Sequence, residues 1–438
     1  MVVVASLSVA AEQQRRGELS AVELVEQCLQ RWQAVEEKLQ AWTFVDADGA
    51  RLQAQLRAQE GERGEWRGPL HGIVVGIKDI IDVFDWPTGC GSARWANSYA
   101  RQDAPIIRRL RQAGAVLLGK TVTTPYAYLD PAATRNPWHQ DRTPGGSSSG
   151  SAVAVAAGMV PLALGTQTGG SIIRPAAYCG ICGFKPTYGR LPKGGILPLA
   201  PSLDHVGLLA ATVSDLQTAF IALRPRPAWC RISALTVPEL RLLAIPEFLD
   251  DARFTADVHQ HYHAWRQRTL ALGRQWSEVS LPVPLSELRR YHGTILAVEA
   301  AAFHGPRWQR YPDDYPPQIS RLIREGLRMP ALEYHQAKRH LRSVRRCIDD
   351  WFARAGGILA LPATFSPPPP PDTTGDPACQ SPWSYLGLPV VSFPIAWNAD
   401  GLPLAVQLVG PRNSDELLLT LAIQLTKAVP WEQRPLPI

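Results

Sequence analysis

Two glycine- and serine-rich segments constrain the fold of this chain more than any other feature. They are Pro144-Gly145-Gly146-Ser147-Ser148-Ser149-Gly150-Ser151 and Gly165-Thr166-Gln167-Thr168-Gly169-Gly170-Ser171. An Ala-rich stretch, Ser151 to Gly158, reads as a helix between them, followed by a short strand. Upstream, Gly72 to Ile77 and Ala115 to Leu118 are short β-rich runs bounded by glycine. Strands that alternate with helices and Gly-rich loops make an α/β pattern. Glycine lets backbone approach a ligand closely, and serine supplies a hydroxyl that can attack or relay a proton.

The flanking sequence adds helices. Val22, Val25, Leu29, Trp32 and Val35 recur at steps of three and four, which predicts an amphipathic helix between residues 20 and 40. Ser20 with Glu23 forms a capping box at its start. Residues 205 to 350 read mostly as helices and connections, among them Asp257 to Leu272 and an Ala-rich segment holding Glu299 to His304. The run Pro367 to Pro371 reads as a rigid loop rather than a partner motif. Val390 to Phe393 and Leu404 to Leu408 read as strands able to rejoin the earlier sheet, and a last helix is expected over 414 to 428.

Composition excludes several classes. The chain has 438 residues, 45% hydrophobic and 19% charged, enough for a large core. The net charge is only +6, with Lys and Arg interspersed among Asp and Glu, so no nucleic-acid partner is expected. Seven cysteines, an odd number scattered along the chain, argue against a disulfide framework. Cys179 and Cys182 form one C-x-x-C, but there is no second pair and no histidine at ligand spacing, so they read as small packing residues and no metal is expected. The start of the chain is apolar yet lacks a basic n-region, and no apolar run reaches the roughly 18 residues of a membrane span. A cytoplasmic protein without membrane association or cofactor is expected.

Ser171 follows Gly169-Gly170 and precedes Ile172-Ile173-Arg174-Pro175-Ala176-Ala177, a helix start where backbone N–H groups favour negative charge. Taken alone, these residues fit either a nucleophile with its oxyanion site or a flexible loop. Gly146-Ser147-Ser148-Ser149-Gly150 also matches G-x-S-x-G, but the nucleophile elbow needs a strand before it, and His139 to Pro144 reads as a loop. No Gly-Lys-Ser/Thr follows the glycines, so a P-loop is excluded.

GGSSSGSAVAVAAG followed by LALGTQTGGSIIRPAAYCGICGFKPTYGR resembles the signature region of the amidase signature family. HGIVVGIKDIIDV resembles its lysine motif. SLDHVG at 202 to 207 and TGDPACQSPWSYLGLPVVSFP at 374 to 394 resemble its later landmarks. The resemblance implies one large α/β domain over 1–438, a mixed β-sheet covered by helices on both faces. The signature core would cover about 65–215, a variable helical middle about 216–354, and the C-terminal part of the core about 355–438.

By the same resemblance the catalytic residues fall on Lys78, on Ser147 in a cis peptide, and on the nucleophile Ser171. The oxyanion donors fall on the backbone N–H groups of Thr168, Gly169, Gly170 and Ser171, each worth about 3 kcal/mol in comparable sites. Lysine can act as the base only when neutral, and burial achieves this by penalising the ammonium form. Ile77 and Ile80-Ile81 around Lys78 suggest such a setting.

Many family members carry Asp where this chain has Gln167. Glutamine occurs in a subset that includes malonamidase-like enzymes, which share the arginine falling on Arg174. There it holds a substrate carboxylate; in this chain Arg174 is either that or a structural arginine bonded to backbone carbonyls. The expected activity is hydrolysis of the C–N bond of a small amide through a Ser171 acyl-enzyme. The alternatives are the amidase component of a glutamine-dependent amidotransferase complex and a non-catalytic binding protein. The expected partner is a small-molecule amide, and oligomeric state is left open, a homodimer included.

Overall fold

In a computed structural model, which describes residues 5–225 and 240–437, one sheet organises the chain. Its strands are β1 (Trp42–Val45), β2 (Val74–Lys78), β3 (Val116–Thr121), β4 (Leu162–Gln167), β5 (Cys182–Lys185), β6 (His205–Ala210), β7 (Arg241–Ala244), β8 (Trp276–Glu278), β9 (Gly357–Pro362), β10 (Val390–Trp397) and β11 (Pro403–Val409). They lie in the order β1-β3-β2-β4-β6-β5-β10-β11-β9-β7-β8. The sheet is mixed and flanked by helices, as the sequence implies. β2 runs parallel to both β3 and β4, whereas β5, β6, β10 and β11 pair antiparallel. Central strands β2 to β6 are buried along their whole length, which is why they read as continuous apolar or small-residue runs rather than alternating ones.

The helix over Ala21–Leu39 has the expected start: Ser20 Oγ accepts from the Glu23 N–H at 3.1 Å, and Glu23 Oε2 accepts from the Ser20 N–H at 2.7 Å. The Ala-rich helix spans Ser149–Ala156, two residues earlier than its sequence suggests, and it is buried through Val155. Small residues are obligatory there. Gly150 donates its N–H to Val122 O at 3.0 Å, and a side chain on it would collide with the backbone of Ala41 and Val122. The helices at 256–271, 285–310 and 415–428 contain or closely match those read from the pattern.

The middle of the chain differs from its helical reading. β6 begins at His205, and β7 and β8 add to the sheet beyond β9. β7 has four residues and β8 three, too few for an alternation to declare itself. β1, equally short, carried no such signal either. Cys179 and Cys182 are free and buried, in keeping with packing roles; Cys230 and the first four residues lie outside the described residues. No helix among the described residues is long and apolar enough to cross a membrane.

The long helix Leu285–Arg310 packs against the helix Pro317–Arg328 with Gly326 at the crossing, where a Cβ would press into the Ala297 carbonyl and stand 2.7 Å from Ala301 Cβ. Gly326→Ala is therefore expected to destabilise the protein by about 1–3 kcal/mol. Gly293→Ala on the same long helix meets open space and should be neutral or stabilising by up to about 1 kcal/mol. Urea unfolding of both variants checks the pair; equal effects would contradict the crossing as described.

Candidate active site

Parallel pairing sets the site. Because β2 and β4 run side by side in the same direction, Lys78 at the end of β2 and the loop after Gln167 leave the same edge of the sheet. Ligand sites of α/β sheets gather at such carboxyl ends. Lys78 is fully buried. Its Nζ donates to Ser147 Oγ at 2.7 Å and to Thr166 Oγ1 at 2.9 Å. Burial pushes the Lys78 pKa well below the ordinary lysine value, with the negative charge of Asp204 opposing in part.

The Gly146–Ser147 peptide is cis. The Ser148 N–H donates to the Ser171 carbonyl at 3.3 Å, so the two serine-bearing loops meet through their backbones. Ser148 Oγ accepts from the Thr166 N–H at 3.3 Å and donates to Thr166 O at 3.2 Å, joining the first loop to β4. No hydrogen bond joins the Ser147 and Ser171 hydroxyls among the described residues.

Ser171 borders a cavity of about 230 Å³ that Thr168, Gly169, Gly170, Arg174, Arg289 and His292 also line. Among the described residues, the backbone N–H groups of Thr168 through Ser171 have no internal acceptor. Four adjacent donors without partners at a cavity wall can stabilise negative charge developing on a bound oxygen.

The loop is held from outside. Gln167 Oε1 accepts from the N–H groups of Ile172 and Ile173 at 2.9 and 3.0 Å, and its Nε2 donates to Ser384 Oγ at 3.0 Å. Ser384 Oγ in turn donates to Gly169 O at 2.6 Å. Thr168 Oγ1 donates to Asp204 Oδ1 at 2.6 Å. His292 Nε2 lies 3.0 Å from Thr168 O; a carbonyl only accepts, so this nitrogen carries the proton, and burial keeps the ring neutral by lowering its pKa. The loop's carbonyls point into the protein, which leaves its N–H groups for the cavity.

Arg174 is completely buried. Its Nη2 donates to Gly146 O at 2.8 Å and Thr374 Oγ1 at 3.2 Å, while Nε and Nη1 have no partner. Part of the guanidinium thus braces the residue before Ser147, and part is free. No group of three or more potential metal ligands occurs among the described residues.

Sequence reasoning assigned no role to Thr166, Asp204, Ser384, His292 and Arg289. Asp204 and Ser384 lie inside segments that carried the family resemblance, but position alone does not reveal which hydroxyl or carbonyl they reach. His292 and Arg289 lie on an ordinary amphipathic helix. Their only sequence signal is the 289–292–296 spacing that turns Arg289, His292 and Leu296 to one face.

The family model named Amidase matches residues 23–419. The chain is 33% identical to one of the subunits of the glutamyl-tRNA(Gln) amidotransferase of Roseiflexus sp. (strain RS-1), over 98% of this chain and 97% of that one. A crystal structure of an amidase superposes with a TM-score of 0.89 at 30% identity, covering 97% of this chain and 100% of the other. The peptide amidase of Stenotrophomonas maltophilia gives a TM-score of 0.84 at 26% identity over 99% of both chains.

Lys78 binds a proton in the unfolded chain, near pKa 10.4, that the folded chain releases at lower pH. Its depressed pKa therefore costs stability at neutral pH, and this cost fades as pH rises towards 10. Relative to Lys78→Met, the wild type should gain stability between pH 7 and 10, by at most about 1.4 kcal/mol per pH unit. Urea unfolding of both proteins at pH 7, 8.5 and 10 measures this; a pH-independent difference would mean that the amine is not held neutral.

Proposed function

The chain belongs to the amidase family, and from that membership we propose that it is an amidohydrolase that cleaves the C–N bond of a small amide through an acyl-enzyme on Ser171. The observation that carries this reading is the Lys78 amine, fully buried and 2.7 Å from Ser147 Oγ. A neutral amine accepts the Ser147 proton as Ser147 accepts that of Ser171, and Ser171 Oγ attacks the carbonyl carbon. The two hydroxyls must come within hydrogen-bond reach when substrate is bound. The carbonyl oxygen becomes an oxyanion facing the N–H groups of Thr168, Gly169, Gly170 and Ser171. Ser147 returns a proton to the leaving nitrogen, the C–N bond breaks, and water then attacks the ester, restoring Ser171. Arg174, which borders the cavity and whose buried Nε and Nη1 have no partner, is proposed to receive a substrate carboxylate besides bracing Gly146.

A second reading is favoured by one observation: the similarity to the glutamyl-tRNA(Gln) amidotransferase component covers nearly the full length of both chains. On that reading the protein belongs to a larger complex and releases ammonia from glutamine for a partner. Glutaminase activity appearing only with a copurifying partner would select it over the stand-alone enzyme.

A fluorophosphonate is expected to label the wild-type protein on Ser171 and to leave Ser171→Ala unlabelled. The same variant should lose at least about 10⁴-fold in kcat/KM on any amide that the wild type hydrolyses. Because the base must be neutral, kcat/KM should fall as pH drops through the depressed Lys78 pKa, and Lys78→Met should abolish the activity on both sides of it. Labelling that survives Ser171→Ala would refute the assignment.

A further inference from the structure

The cavity beside Ser171 is lined by two arginines, Arg174 and Arg289, and by no carboxylate among the described residues. They come from different elements, Arg174 from the helix Ile173–Tyr178 and Arg289 from the helix Leu285–Arg310. Arg289 is anchored on two of its three nitrogens. Nε donates to Ala378 O at 3.1 Å, and Nη1 lies 3.4 Å from Asp251 Oδ2, a long contact. Its Nη2 is buried and has no partner.

Asp251 has a better partner elsewhere. Arg253 grips it with Nε at 2.9 Å and Nη2 at 2.6 Å, and reaches Asp376 with Nη1 at 2.7 Å. Two carboxylates and two guanidiniums thus balance within this cluster, and the charge of Arg174 is left over at the cavity. A buried donor without an acceptor is costly, more so on a charged group. A carboxylate supplies what is missing: one negative charge, and two oxygens able to accept from both arginines.

The surroundings select position as well as charge. Arg289 is one turn from His292, which holds the Thr168 carbonyl, so the helix that shapes the oxyanion loop also sets the place of Arg289. Leu199 and Leu296 supply apolar wall between the polar groups. A Cβ on Gly170 would collide with Gln380 Oε1 and lie 3.2 Å from Arg174 Nη1, so glycine here leaves room chiefly for Gln380.

We propose that Arg289 is a specificity-determining residue that binds a carboxylate on the substrate, so that the preferred substrates are small amides carrying an anionic group on the same molecule. This rests on the reading of Ser171 as nucleophile, but binding can be measured without turnover. In a Ser171→Ala background, titration calorimetry compares malonamate, succinamate and glutaramate, each against its neutral diamide isostere. At least one acid is expected to bind thirtyfold or more tightly than its diamide, and Arg289→Leu in the same background should cut that preference below threefold.

If no acid exceeds its diamide by threefold with Arg289 intact, the proposal is overturned without any change at that position. If the preference persists in Arg289→Leu, Arg174 alone carries it and the proposal is overturned as well. Arg289→Gln, which keeps a donor for Ala378 O, should lose the preference like Arg289→Leu, with thermal unfolding reporting that both fold. Failure of Ser171-dependent hydrolysis in the wild type would strike the acyl-enzyme reading and leave these affinities untouched.

Discussion

Lys78 donates from one fully buried nitrogen to two hydroxyls, Ser147 Oγ and Thr166 Oγ1, with no carboxylate of the described residues in contact. An ammonium in that position would be severely desolvated, so the surroundings favour the free amine. The arrangement depends on how the strand ends. In an extended chain successive side chains leave on opposite faces. Asp79, the next residue, turns away and pairs with Lys120 at 2.9 Å, while Lys120 also donates to Pro87 O and Thr88 Oγ1. Two adjacent ionisable residues thus have opposite fates. One is matched by a buried counter-ion, the other is deprived of one. Were Asp79 to share the pocket of Lys78, the amine would hold its proton.

The second constraint is the direction of the loop from Thr168 to Ser171. A peptide chain offers donors and acceptors alternately, and a cradle for negative charge must hide the acceptors. Here His292 takes the Thr168 carbonyl, Ser384 takes that of Gly169, and the Arg174 N–H takes that of Gly170. Gln167 serves this better than aspartate could. Its carboxamide accepts two N–H groups with one end and donates to Ser384 with the other, whereas an ionised carboxylate only accepts. The glutamine and the serine form one bonded unit.

What the sequence made legible follows from where information is local. Glycine pairs, a serine after each pair and a lysine closing an apolar run are local signals; alone they left Ser171 open between nucleophile and flexible loop, and it was the family resemblance they carry that implied Lys78, Ser147, Ser171 and the loop before it. The sheet was legible in β2 to β4 and β10 to β11, but not in β6, which is as long and as buried and lies where the pattern read as helical. It was not legible in β7 and β8, whose few residues acquire strand geometry only by pairing with β9 and each other. Arg289 and His292 were illegible for another reason. Nothing in a helix sequence says which of its faces meets a loop more than a hundred residues away, and an arginine aimed into a cavity looks the same in sequence as one in water.

The clasp between Ser384 and Gly169 spans 215 residues of sequence. Strand order deepens this separation, because β5 and β6 in the first half of the chain meet β9 only through β10 and β11 from the end. A ribosome making this protein therefore exposes Lys78, Ser147 and Ser171 long before the segment that orients the cradle has been synthesised. On the proposed reading, the side chains that would react are therefore made well before the segment that fixes the Thr168–Ser171 loop, and the site is complete only once the end of the chain has been synthesised.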